Sequence, residues 1–256
     1  MSVDAEREYQ QLKKRYMELA EKCYRQNVYC FTDFLGMAQI DAFYRMEKEL
    51  SHVPCTLYGG NEGCERVIVR FGSQEMLGYE EPFPIVCLMI RPVAEKFAEM
   101  LTHRDFLGAC MNLGIERDLI GDIVVRGKCA YVYCMERIVP YIVDHLTKVR
   151  HTSVHCQPFE GEPESLAPTL EMRQYQVASQ RLDAVIAKVF QLSREKSVLL
   201  FREKKIFVNG RQQENNSSVP KTGDIVSVRG YGKFVYRGET HVTRKGKSSV
   251  GIALYQ

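Results

Sequence analysis

The stretch from Ser179 to Arg229 constrains the fold of this chain more than any other. Ser179-Gln180-Arg181-Leu182-Asp183 opens it, Leu192-Ser193-Arg194 follows, and Phe207-Val208-Asn209-Gly210 and Thr222-Gly223-Asp224 complete it. Leu182, Val185, Ile186, Val189 and Phe190 recur at helical spacing and predict one amphipathic helix. Ser179 is its expected cap, and Ser193 the cap of a second helix carrying Val198, Leu199 and Phe201. Asn209-Gly210 is a pair that a tight hairpin favours, and Ile225 to Val228 reads as a further strand. The pattern is helix–helix–hairpin with an arginine at each helix start. A helix N-terminus is partially positive, so an arginine there costs about 0.3–1 kcal/mol unless an anion answers it. The pair of arginines suggests that the anion is phosphate, and phosphate points to nucleic acid.

Charge is distributed to match. From Tyr175 onward there are 15 Lys and Arg against 6 Asp and Glu, a formal +9. The remainder carries 20 against 26, a formal −6. A basic C-terminal third on an acidic body suits a localized polyanion-binding module, although a solvated basic face reads equally well from charge alone. The nine cysteines are scattered without a Cys-x-x-Cys pair. That spacing argues against a disulfide framework or zinc site, for small core residues, and for a reducing cytoplasm. Met1 to Arg15 is too polar for a secretory signal, and no apolar run approaches the roughly 18 residues of a membrane span.

The body reads as α+β. Helical periodicity covers residues 4 to about 50, with Tyr9, Leu12, Tyr16, Leu19 and Ala20 on one face and Phe34, Met37, Ile40, Phe43, Tyr44 and Met46 on a second. Arg66 to Phe71 is a strand candidate. Ile85 to Ile90 (strand), Val93 to Leu113 (helix), Ile120 to Val125 and Cys129 to Cys134 (strands), Glu136 to Val149 (helix) and Ser153 to Phe159 (strand) follow. That order is the split βαβ, ferredoxin-like arrangement shared by RNA-recognition modules and by many unrelated domains. The acidic, proline-bearing run after Phe159 is the best linker candidate. Four segments result: a helical region at 1–75, an RNA-recognition-like domain at 76–159, a linker at 160–174 and the basic domain at 175–256.

Three motifs are set aside on spacing. His103-Arg104-Asp105 resembles a kinase catalytic loop, but Asn112 stands seven residues after the aspartate rather than five; a polar helix start is the better reading. Gly246-Lys247-Ser248 lacks the first glycine of a phosphate loop, since position 241 is His241. His151 and His155 would stand roughly 13 Å apart along a strand, too far to share a metal. Arg181-Leu182-Asp183 is also the run in which pseudouridine synthases place their nucleophilic aspartate. Ala184-Val185-Ile186 follows it in place of Thr-Ser-Gly, so Asp183 is read as a first-turn carboxylate that orients Arg181.

No catalytic residue, metal site or cofactor is expected. The candidate RNA-binding residues are Arg181, Arg194, Lys196, Arg202, Lys204, Lys205, Arg211 and Lys221. Each alone reads as a solvated charge, but together they gather on the helix pair and hairpin. Such a surface binds structured RNA by backbone and shape, with steep salt dependence. Tyr131 and Tyr133 alternate on one strand and suit either base stacking or core packing.

The region from Arg181 to Ile225 resembles the RNA-binding domain of small-subunit ribosomal protein S-four, the alpha-L motif. Thr32-Asp33-Phe34, Tyr58-Gly59-Gly60, His103-Arg104-Asp105-Phe106-Leu107-Gly108, Leu113-Gly114-Ile115 and Ile120-Gly121-Asp122-Ile123 extend the resemblance to the YlmH family of bacterial RNA-binding proteins. Gly63-Cys64-Glu65-Arg66-Val67 is less basic than that family's pattern. The resemblance implies binding to large-subunit ribosomal RNA and tRNA in quality control of stalled nascent chains; with no catalytic set in the sequence, a non-enzymatic factor is expected, acting as a monomer. It implies a link to cell division as well. Arg181 and Arg194 match the arginines that related S-four proteins place on RNA. Alternative readings are an RNA-modifying enzyme of pseudouridine synthase type and a cell-division scaffold docking through the acidic N-terminal helices.

Overall fold

The computed structural model describes residues 3–242 and 248–255. The chain divides into two compact units, Met1–Ala167 and Pro168–Gln256. Gly246 and Lys247 of the rejected phosphate-loop motif lie outside the described residues, as do the basic Arg244 and Lys245.

In the first unit, α1 (Val3–Gln26) buries Tyr16, Ala20 and Cys23 at helical steps. After β1 (Cys30–Phe31), α2 runs only from Met37 to Arg45, shorter than the expected 33–50. Gly36 caps it, its amide donating to Gln39 Oε1 at 2.8 Å. Phe34 lies outside that helix, because its amide donates to the Asp118 carbonyl at 2.8 Å. β2 (Cys55–Tyr58) and β3 (Ile68–Phe71) complete a three-stranded sheet in the order β1-β3-β2, and the short α3 (Gln74–Leu77) follows.

The second part of this unit holds β4 (Ile85–Pro92), α4 (His103–Asn112), β5 (Ile120–Arg126), β6 (Cys129–Met135), α5 (Val139–His145), β7 (Lys148–Val149) and β8 (Thr152–Pro158). The strands pair antiparallel in the order β5-β6-β4-β8-β7. Both expected helices are truncated. Across Val93 to Leu101 only a turn at Glu95–Phe97 forms, and Phe97 and Met100 stay exposed. The helix begins where Thr102 and Asp105 form a capping box. α5 stops at His145 so that the chain can enter β7. Gly108 sits mid-α4, where glycine costs about 0.5–1 kcal/mol relative to alanine; a Cβ there would meet nothing within 4 Å.

One sheet face packs Leu88, Ile90, Ala130, Val132 and Cys134 beneath Phe106, Cys110 and Ile142 of the two helices. The other is closed by Phe34 and Ile68 of the N-terminal part and by Leu166 from the segment after β8, which cover Tyr133 and Met135, with Ile85, Cys87, Val124 and Tyr131 around them. A Cβ on Gly121 would lie 2.6 Å from the Phe34 ring, and one on Gly60, at φ +100, would lie 2.3 Å from Tyr133. Arg66 locks this join, donating to the carbonyls of Phe34, Arg117 and Ile120 at 2.8, 3.2 and 2.9 Å. Burial and the neighbouring Arg117 pull Arg66 down to about 10, which still leaves it charged at neutral pH. The arginine of the Gly63–Val67 loop is therefore a structural bolt rather than a surface contact.

The second unit begins earlier than the expected 175. β9 (Leu170–Val177) occupies the last part of the anticipated linker and pairs with β14 along its whole length. α6 (Leu182–Val189), α7 (Arg194–Arg202), β10 (Ile206–Val208), β11 (Arg211–Gln212), β12 (Ile225–Val228), β13 (Gly232–Val242) and β14 (Ser248–Tyr255) follow. The six strands are ordered β11-β10-β12-β13-β14-β9, all antiparallel. Val185, Ile186, Leu200, Phe201, Val226, Val228, Phe234 and Ile252 form the core between helices and sheet.

Five of the nine free cysteines are buried. Desolvation holds Cys110 up at about 11 and Cys55, Cys87 and Cys156 at about 12, so these remain thiols. Among the described residues, no helix is long and apolar enough to cross a membrane.

Candidate nucleic-acid interface

The two helix starts of the second unit differ, and the difference decides what each can bind. At α6 the cap position is Arg181, not Ser179, and no side chain caps the helix. Its first amides are nonetheless all used: Leu182 donates to the Ser218 carbonyl at 2.8 Å, Asp183 to that of Asn216 at 3.1 Å, and Ala184 and Val185 to that of Arg181 at 3.0 Å. No first-turn donor of α6 is left for a phosphate. The anion that answers Arg181 is internal. Its Nε and Nη2 donate to the two Asp183 oxygens at 3.1 and 2.8 Å, and Asn216 Nδ2 adds a third bond at 3.1 Å. The Asp183 side chain is 1% exposed and that of Arg181 36%. This buried, fork-bound carboxylate has no room for a nucleoside, so the geometry offers Asp183 as an orienting group and not as a nucleophile.

At α7, Ser193 caps as expected, its hydroxyl accepting from the Lys196 amide at 3.2 Å. The Arg194 and Glu195 amides meet no partner among the described residues. Of the expected Val198, Leu199 and Phe201, only Phe201 is buried, with Ser197 and Leu200 completing the inward face; Leu199 is exposed instead. Ser197 Oγ donates to the Asp183 carbonyl at 2.8 Å and ties the first turn of α7 to that of α6.

Asn209 and Gly210 turn the β10–β11 hairpin at φ +51 and +76. The same Asn209 donates to Asp224 Oδ1 at 2.8 Å and accepts from the Ile225 amide at 2.9 Å, clasping the two sequence motifs together. Arg211 and Lys221 are exposed on either side of this clasp. Lys204 and Lys205, just past α7, pair with Glu214 at 3.6 Å and Glu203 at 2.8 Å; exposed pairs of this kind contribute little and yield readily to a stronger anion. Arg194, Lys196, Arg202 and Lys221 are exposed and make no ion pair among the described residues.

Sequence reading missed three residues here. Asn216 and Ser218 complete the α6 start, but their polar run Asn215-Asn216-Ser217-Ser218 signals only a loop. Arg229 is exposed, and its amide donates to the Lys205 carbonyl at 2.9 Å; a lone cation ending a strand was its only signal. Tyr133 is core, 1% exposed, and Tyr131 packs edge-on against Phe159 at 5.0 Å, so neither is free to stack on a base. His103-Arg104-Asp105 is a polar helix start, as read from its spacing.

Residues 79–162 match a family model described as "Putative RNA-binding domain in YlmH". A curated relative from Bacillus subtilis (strain 168), "Ribosome-associated protein quality control protein P2", is 28% identical over 190 residues, 74% of this chain and 73% of that protein. A solved structure, "Cell division protein ylmH from Streptococcus pneumoniae", aligns with a TM-score of 0.48 and 25% identity over 62% of this chain and 93% of the other. The chain is thus similar to a ribosome-associated quality control protein over most of its length, and its central domain matches the YlmH RNA-binding family model.

Proposed function

We propose that this protein is a non-enzymatic RNA-binding factor of ribosome-associated quality control. It binds large-subunit ribosomal RNA and tRNA through the second unit, which we read as an S-four-like, alpha-L RNA-binding domain. The central part of the first unit is read as the RNA-recognition-like, ferredoxin-like module. The observation that carries this reading is the α7 start: open amides at Arg194 and Glu195, with Arg194, Lys196, Arg202 and Lys221 exposed and in no ion pair among the described residues. The match of residues 79–162 to an RNA-binding domain supports the same chemistry, and the Bacillus relative supports the cellular setting. On this reading the protein works as a cytoplasmic monomer. Arg181 belongs to the surface through its exposed edge, held in place by Asp183.

Co-sedimentation with large ribosomal subunits tests it. Arg194→Ala with Arg202→Ala and Lys221→Ala removes three exposed cations without touching the core. Loss of association at physiological salt is expected, with a salt dependence shallower by about three contacts. Co-sedimentation at the wild-type level would overturn the proposal.

A further inference from the structure

We propose that a groove of about 490 Å³ on the helix side of the central domain holds a short single-stranded stretch of RNA. This deepens the RNA-binding reading above and rests on it. The face of the sheet on which an RNA-recognition-like module would stack bases packs against Phe34, Ile68 and Leu166, which bury Tyr133 and Met135. The groove lies on the opposite side. Arg104, Gly108 and Asn112 line it from one face of α4, and His145, Lys148 and Arg150 face them.

Its charge is unbalanced in favour of an anion. Arg104 and Lys148 are exposed and make no ion pair among the described residues. The single carboxylate in the lining, Asp105, is already occupied: it accepts from the Thr102 amide and hydroxyl at 2.8 and 2.7 Å and from Arg150 Nε at 2.6 Å. Arg150 answers Asp105, so the cations left for a ligand are Arg104 and Lys148.

Gly108 is the second, independent sign. Internal packing does not require a glycine, because a Cβ would meet nothing within 4 Å. What the missing side chain leaves is bare helix backbone in the middle of the groove, open to close approach by a sugar-phosphate chain. At the rim, Tyr141 is 43% exposed and stacks on His145 with ring centroids 4.3 Å apart. Its hydroxyl donates to the Leu113 carbonyl at 3.1 Å, which fixes the ring as a platform for one base. Cations tracking a backbone beside a fixed aromatic face are the components of sequence-tolerant single-strand binding.

The test uses the full chain and an oligouridylate, read by fluorescence anisotropy and by ultraviolet cross-linking with peptide mapping. A cross-link at Tyr141 or His145 is expected. Arg104→Glu with Lys148→Glu should weaken binding about tenfold and reduce the salt slope by about two. Gly108→Ala should raise the thermal midpoint while weakening binding about threefold, a split that a structural role would not produce. Wild-type affinity in both variants, or cross-links confined to residues 168–256, overturns the groove. Competition by inorganic phosphate beyond that of chloride at equal ionic strength would make it a simple anion site and also overturn it. Arg194→Ala is assayed for ribosome association alongside. If that variant loses the ribosome while the groove variants bind oligouridylate normally, only the groove fails; a wild-type protein that binds neither RNA nor ribosome refutes both readings.

Discussion

Arg181→Ala should be a stability mutation as much as a binding mutation. The guanidinium makes two charge-assisted bonds to Asp183, at 3.1 and 2.8 Å, and only Asn216 would remain on that carboxylate. Stranding one member of a buried ion pair costs about 3–5 kcal/mol. The Arg181 side chain is 36% exposed, so water enters the space it leaves and partly rehydrates the carboxylate. Roughly 2 kcal/mol is then the expected cost, near the value of hydrogen bonds to a charged group. For a unit of this size that corresponds to a fall in midpoint of about 8–16 °C. Amide hydrogen exchange at Val185 to Val189 reports on the second unit alone and is the appropriate assay. Arg181→Ala, Asp183→Asn and the double variant form a cycle, in which the double change should cost at least about 1 kcal/mol less than the sum of the singles. Strictly additive effects, or unchanged exchange in Arg181→Ala, would refute the view that the pair holds the α6 start. A ribosome-binding defect in Arg181→Ala is interpretable only beside this measurement; exposed Arg194 is the cleaner probe.

Two further outcomes follow from the first unit. Gly121→Ala sets a Cβ 2.6 Å from the fully buried Phe34 ring, and overpacking of this kind should cost about 1–3 kcal/mol in urea unfolding; a wild-type midpoint would show that the two parts of the unit are not packed there. Hydrogen bonds from Thr102 hold the Asp105 carboxyl below its ordinary range, with Arg150 adding to the effect. A depressed carboxylate stabilizes the fold above its unfolded value, about 4, and that contribution is lost as pH falls through the folded value. Asp105→Asn should therefore be less stable than wild type at neutral pH, with the gap closing below pH ~4. A gap that stays constant into acid would contradict the capping role.

Much of this molecule follows from residues within four positions of one another. The apolar stripe from Leu182 to Phe190, the Ser193 cap, the Asn209-Gly210 turn and the hairpin around Gly127 are local, because helical periodicity, capping and turn geometry are satisfied by near neighbours. The charge asymmetry that directs attention to the C-terminal unit is likewise visible without a structure. Asp183 as the orienting partner of Arg181 was legible because the two residues are two apart.

Tertiary structure decided which of these groups remain available. Asn216 and Ser218, more than thirty residues downstream, take the α6 amides that local reasoning assigned to phosphate. Phe34, about a hundred residues before Tyr133, helps close the sheet face on which an aromatic pair looked able to stack. β9 became a strand only because β14 supplied a full row of partners, since its own alternation is weak and half exposed. Each outcome turns on satisfying a buried donor, acceptor or apolar face by a group distant in sequence, and periodicity carries no record of such pairings. The sequence determined that two arginine-headed helices and a hairpin would form a basic unit. The tertiary structure determined that the first-turn amides of one helix are spent inside the unit while those of the other stay open, because only a folded chain can bring Asn216 and Ser218 to the start of the first helix.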